Sequence, residues 1–154
     1  MATSLEKLRQ EVEGPPRDVG PRLRLGEALM ERGRRVEEAA SELLLASRMD
    51  PGSPHIALVA IDALLRAERA RDAALHLSAY VRTQTATTRI APAEQWLLEH
   101  LLGHPDRFVR CHTARAIGHL KFAACLDVLE RACQDPDGAV RLAAIGSLRI
   151  LRAH

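Results

Sequence analysis

Apolar residues recur every three or four positions along most of this chain, with polar residues between them, and that period belongs to the α-helix. It predicts a short helix near Leu5–Val12 and longer ones over about 20–32, 36–49, 54–67 and 70–83. It resumes over 93–103, 105–120, 123–134 and 136–151. Between the two series, "TQTATTRIAP" breaks the period, and its Thr cluster and Pro92 read as a loop. The chain therefore divides into an N-terminal helix and linker (1–18), a first set of helix pairs (19–84), a junction (85–92) and a second set (93–154).

Both sets repeat. In the first, Ala39 and Leu43 return 34 residues later as Ala73 and Leu77, after an opening Leu25-Gly26 and a turn at Gly33. Small residues at a helix crossing let the axes approach to roughly 8–10 Å. The period and the small crossing residues resemble the tetratricopeptide (TPR) repeat. The second copy departs from it, with Ala60-Ile61 for Leu-Gly and Glu68 for the turn Gly. In the second set, "HPDRFVR" at His104–Arg110 is echoed 31 residues on by "DPDGAVR" at Asp135–Arg141. Ala116-Ile117 and Leu120 align with Ser147-Leu148 and Leu151, and Leu97-Leu98 with Val128-Leu129. This pattern resembles HEAT repeats, in particular the short class named after the phycobilisome lyases. The fold class expected is all-α: a right-handed α-solenoid of stacked helix pairs, TPR-like and then HEAT-like.

The repeated punctuation has a structural explanation. His104 and Asp135 are placed to cap the following helices, with Pro105 and Pro136 at the first helical position, where a missing N–H does no harm. Asp106 and Asp137 then fall in the first turn, favoured by the helix dipole. Val109 and Val140 should enter the core, leaving Arg110 and Arg141 at its edge. The HEAT resemblance implies an Asp–Arg ladder between adjacent repeats, pairing Asp106 or Asp137 with Arg110 or Arg141.

Charge narrows the choice of partner. Net charge is +2; residues 1–84 carry 13 basic and 13 acidic groups, and 85–154 carry 9 against 7. That is a weak basic excess for a nucleic-acid domain. It argues against nucleic acid, which stays the alternative reading through a basic HEAT face: Arg107, Arg115, Lys121, Arg131 and Arg149. All basic residues but Lys7 and Lys121 are Arg, which suits a GC-rich bacterium. The charged N-terminus has no apolar signal core, and no apolar run is long enough to span a membrane. Three cysteines, Cys111, Cys125 and Cys133, lie in helical patterns without a CxxC pair, so a cytoplasmic setting is expected.

No catalytic, metal or cofactor site is expected. His100 and His104 are four apart, but Gly103 and Pro105 end the helix between them and no HExxH motif forms. Cys111 and His112 point about 100° apart on their helix and cannot act as a nucleophile–base pair. No G-x-S-x-G or phosphate loop occurs.

The reading is a non-catalytic protein-interaction adaptor or scaffold that binds another protein or peptide. On the first set, Glu27, Met30, Glu31, Asp62, Leu65 and Arg66 are expected to face a concave groove. The chain contains no Asn, which removes the carboxylate clamp of chaperone-binding TPR proteins. On the second set, Trp96, Glu99 and His100 align with Asp127, Glu130 and Arg131, a polar and hence solvent-facing trio. Trp96 is then an exposed anchor or is packed at the junction; the second is preferred, because large aromatics bury area. The last helix carries Ile145 and Ile150 outside its core positions, which predicts an apolar strip open to a partner helix or to a second copy of the chain as a homodimer.

Overall fold

The computed structural model of the chain describes residues 5–13, 18–83, 92–121 and 123–153. Among these it is all-α, with consecutive helices packed on one another within each of two units. The helices are α1 (Leu5–Glu13), α2 (Val19–Arg32), α3 (Val36–Met49), α4 (Pro54–Arg66), α5 (Ala70–Val81), α6 (Pro92–Leu102), α7 (Arg107–Leu120), α8 (Leu126–Ala132) and α9 (Gly138–Arg152). A 3-10 turn, Ala123–Cys125, leads into α8. The chain forms two compact units, Met1–Ala73 and Ala74–His154, whose boundary falls inside α5. Nearly all of the expected junction lies outside the described residues.

In the first unit α1 packs on α2, α2 on α3 and α3 on α4. Leu5, Leu8 and Val12 of α1 cover Leu25 and Leu29 of α2 and Ala39 of α3, the i, i+3, i+7 stripe that a helix needs to bury one face. The small residues Ala39 and Ala73 are fully buried, as is Leu43. A Cβ on Gly26 would collide with the Leu43 side chain, so the close approach of α2 to α3 depends on that glycine. Asp18 caps α2, Ser53 caps α4, and Gly33 ends α2 in the left-handed conformation.

In the second unit α6 packs on α7, and α7 and α8 on α9. Val109, Ile117, Leu129, Val140 and Ala144 form its interior. Helices α7 and α9 approach closely at Gly118, where a Cβ would lie 2.7 Å from Ser147 Cβ and 2.8 Å from Ser147 Cα. The Ser147 hydroxyl is buried and donates to the Ala114 carbonyl at 2.7 Å, tying α9 to α7 by a side chain-to-backbone bond.

The echoed motif works two residues later than the sequence suggested. The caps are Asp106 and Asp137: Asp106 accepts from Phe108 N–H at 2.9 Å, and Asp137 from Ala139 and Val140 N–H at 2.9 and 3.2 Å. Accordingly α7 and α9 begin at Arg107 and Gly138, not at the prolines. His104 and Asp135 act one turn earlier, accepting from the N–H of Asp106 and Asp137 at 3.0 and 2.9 Å. The prolines sit inside these turns. Each turn is then held from within by the motif's own arginine. Arg110 Nη1 donates to the carbonyls of His104 and Pro105 at 2.9 and 2.8 Å, and Arg141 Nη1 to those of Asp135 and Pro136 at 2.8 and 3.0 Å. The recurring Arg thus satisfies loop carbonyls that precede its own helix.

Candidate functional site

The ladder between repeats is present with a different carboxylate. Arg110 forms a two-pronged pair with Asp135, Nε to Oδ2 at 2.8 Å and Nη2 to Oδ1 at 3.0 Å, rather than with Asp106 or Asp137. The two side chains are only 14% and 10% exposed. Asp106 and Asp137 are committed as caps, which leaves the first acid of the next turn to receive the guanidinium. Asp137 also accepts from Arg107 at 3.2 Å. The Arg110 hydrogen bonds hold the Asp135 carboxyl below its ordinary range, and Arg107 does the same for Asp137. Arg141 makes its two carbonyl bonds and is otherwise exposed. These residues fix the register of stacking and offer little to a partner.

The groove residues of the first unit do not all face outward. Met30 is half-buried against the Leu8–Leu25–Leu29–Ala39 cluster. Glu27 meets His55 at 3.1 Å, and Asp62 and Arg66 pair within α4 at 3.2 Å. Glu31 is exposed and Leu65 half-buried. In the second unit Gln95 donates to Glu99 at 3.1 Å, Arg152 reaches Glu130 at 2.7 Å, and Asp127 and Arg131 are exposed.

Trp96 departs from the preferred expectation. It is 59% exposed and stacks on His100, ring centroids 5.4 Å apart and planes 12° from parallel. The α6 positions that turn inward are Leu97, Leu98, Leu101 and Leu102, and one helix cannot bury Trp96 as well as its two immediate successors on a single stripe. On α9, Ile145 and Ile150 are 39% and 38% exposed, and Leu142, not singled out from the sequence, is 72% exposed. At 100° per residue the three share one side of α9, with Gly146 and Arg149 between them. The signal for Leu142 was its place one turn from Ile145 and Gly146, opposite the core positions Val140, Ala144 and Leu148.

Residues 94–154 match the family model for HEAT repeats. These HEAT-like repeats begin in α6 and run through α9, which is the span over which the 31-residue echo holds. No curated protein and no solved structure matches the chain. Among the described residues no helix is long and apolar enough to cross a membrane, and no three His, Cys, Asp or Glu side chains are grouped to hold a metal ion.

A second feature was missed by sequence reasoning. Ser78, Val81 and Arg82 of the α5 end face His112, Arg115, Ala116 and His119 of α7 across a cavity of about 370 Å³. The spacing was legible, since 112, 115, 116 and 119 form one stripe of a helix. The partner stripe on α5 belongs to the other repeat type, and only the fold brings the two together.

Proposed function

We propose that the chain is a non-catalytic adaptor that binds a protein partner through the outer face of α9. The observation that carries this is the uncovered apolar side formed by Leu142, Ile145 and Ile150. A well-buried leucine side chain is worth about 1.5–3 kcal/mol relative to an exposed one, so three such residues can supply a useful share of a binding free energy. An amphipathic helix laid along α9 would cover them while Arg149, which lies among them, pairs with an acidic group on it. HEAT repeats commonly serve as protein-interaction scaffolds, which agrees with this reading. The TPR-like first unit, with Glu31 and Arg66 exposed, would add a second surface on a cytoplasmic, bacterial scaffold. Trp96 is the natural anchor between them in sequence, since exposed Trp is enriched where partners dock.

The test is capture from lysate of the source cells, followed by size exclusion with light scattering. Leu142→Glu with Ile145→Glu is expected to lose the captured partner and leave the fold intact. Capture of the same proteins by the double variant would overturn the reading. A dimer that becomes monomeric in the variant would identify the partner as a second copy of the chain.

A further inference from the structure

We propose that the cavity between the end of α5 and α7 is a binding site for a small phosphate monoester. Its lining is one-sided in charge. Arg82, Arg115 and His119 stand exposed at its edge, Ser78 and His112 are half-buried, and Val81 and Ala116 are buried at its base. No carboxylate is among these lining residues, and residues 84–91, which follow α5 in sequence, contain no Asp or Glu. Elsewhere several arginines are matched, Arg9, Arg22, Arg35, Arg69, Arg107 and Arg110 sitting against carboxylates at 2.7–3.6 Å, while Arg48, Arg131 and Arg149 stand exposed on open helix faces rather than at a cavity. Among the described residues neither Arg82 nor Arg115 has such a partner. Two guanidinium groups turned to one cavity without a counter-charge favour an anion there, and Arg is suited to the flat, forked recognition of phosphate.

The polar groups at the base suit the hydroxyl-bearing body of such an ester rather than its phosphate. Ser78 Oγ donates to the Ala74 carbonyl at 3.0 Å and lies 3.2 Å from His112 Nδ1. The serine has one proton and gives it to Ala74, so its oxygen accepts from His112 Nδ1–H, and Nε2 carries a lone pair that can accept from a hydroxyl on the body of the ester. The imidazole is further held by Phe108, whose ring centroid is 4.2 Å away. Burial, and then the adjacent Arg115, keep His112 below the ordinary imidazole range, so the charge available to an anion is chiefly that of the two arginines.

Size separates the ligand classes. A volume of 370 Å³ lies at the small end of ligand pockets, large enough for a phosphate and a sugar-sized body against Val81 and Ala116. A nucleic-acid duplex cannot enter such a space and would need a basic stripe along the surface. This site is independent of the α9 face, so either can fail without the other.

Binding is to be measured by NMR shift perturbation and calorimetry on the full chain, with inorganic phosphate, ribose 5-phosphate, ribose and a short DNA duplex as probes. Saturable binding of ribose 5-phosphate is expected, at least 10-fold tighter than phosphate, with no binding of ribose. Arg82→Gln and Arg115→Gln should each weaken it 10-fold or more, while Arg48→Gln, an exposed arginine of the first unit, should leave it unchanged. Both variants alter exposed side chains, and circular dichroism on each will show that the fold is retained. Three results would overturn the proposal: no saturable shift with either phosphate probe, equal loss in Arg48→Gln, or duplex DNA binding more tightly than ribose 5-phosphate through the same arginines.

Discussion

Gly118 is the most sensitive point of the second unit. A Cβ there would sit 2.7 Å from Ser147 Cβ and 2.8 Å from Ser147 Cα, whereas carbon atoms pack at about 3.5–4.0 Å. The backbone of Ser147 cannot rotate away as a side-chain tip would, so Gly118→Ala must push α9 from α7 by about 1 Å. Overpacking of this kind costs about 1–3 kcal/mol. The same shift stretches the buried Ser147–Ala114 hydrogen bond, and leaving those groups unsatisfied costs about 1–3 kcal/mol more. Alanine's helix propensity returns about 1 kcal/mol. The net loss expected is about 3 kcal/mol, a large part of the 5–15 kcal/mol typical of a domain.

Urea unfolding followed by far-UV circular dichroism measures this directly, because the unit is helical. With a slope of about 1–3 kcal/mol per molar urea, the midpoint should fall by about 1–3 M. Gly146→Ala is the control. It lies on the same α9, a Cβ there meets nothing within 4 Å, and the substitution should stabilise by about 0.5–1 kcal/mol. Ser147→Gly placed in the Gly118→Ala background should recover only part of the loss, since the backbone at position 147 still lies too close to the added methyl. A Gly118→Ala protein as stable as wild type, or stabilised alongside Gly146→Ala, would refute the described packing of α7 on α9.

Removing one half of the Arg110–Asp135 pair should be costly. Asp135→Ala is expected to destabilise by about 2–4 kcal/mol, below the full range for a buried pair because the edge still meets water, and a double-mutant cycle with Arg110→Met should show coupling of about 1–3 kcal/mol. Because Asp135 titrates lower in the folded chain than in the unfolded one, its contribution is complete above about pH 4 and is lost as pH falls through the folded-state value, so the gap between wild type and Asp135→Ala in urea midpoint should close in acid. Burial, and secondarily Glu99, raise the Cys125 thiol to about 11, and native labelling with iodoacetamide at pH 8 should spare it until the unit unfolds, with half-buried Cys111 and Cys133 reacting first. Trp96 should emit like a solvated indole and be open to acrylamide; a blue-shifted, protected emission in the free chain would contradict its exposure.

How much was legible follows from which interactions are local. The helix limits read from periodicity match α2 through α4 within a residue or so, because capping, breakers and the apolar stripe all act within a turn or two of chain. The 31-residue echo located the HEAT-like span by the same means, since a repeat writes its interface twice. The cap position failed because two acids two residues apart compete for one role. In that turn Arg141 bonds the loop carbonyls and Arg110 takes Asp135, interactions that only the folded chain creates. The ladder failed for the related reason that Arg110 chooses its carboxylate 25 residues away.

The sequence by itself determined the helices, the small residues at their crossings and the repeated Asp and Arg fixings, because each follows from spacing along one chain. Tertiary structure alone decided that Trp96 lies open and Met30 half-buried, that Leu142 completes the α9 face, and that Ser78 and Arg82 stand opposite His112 and Arg115. Spacing within a helix says which residues share a side. Only packing says which sides meet, and the cavity, like the uncovered face of α9, is made where they do or do not.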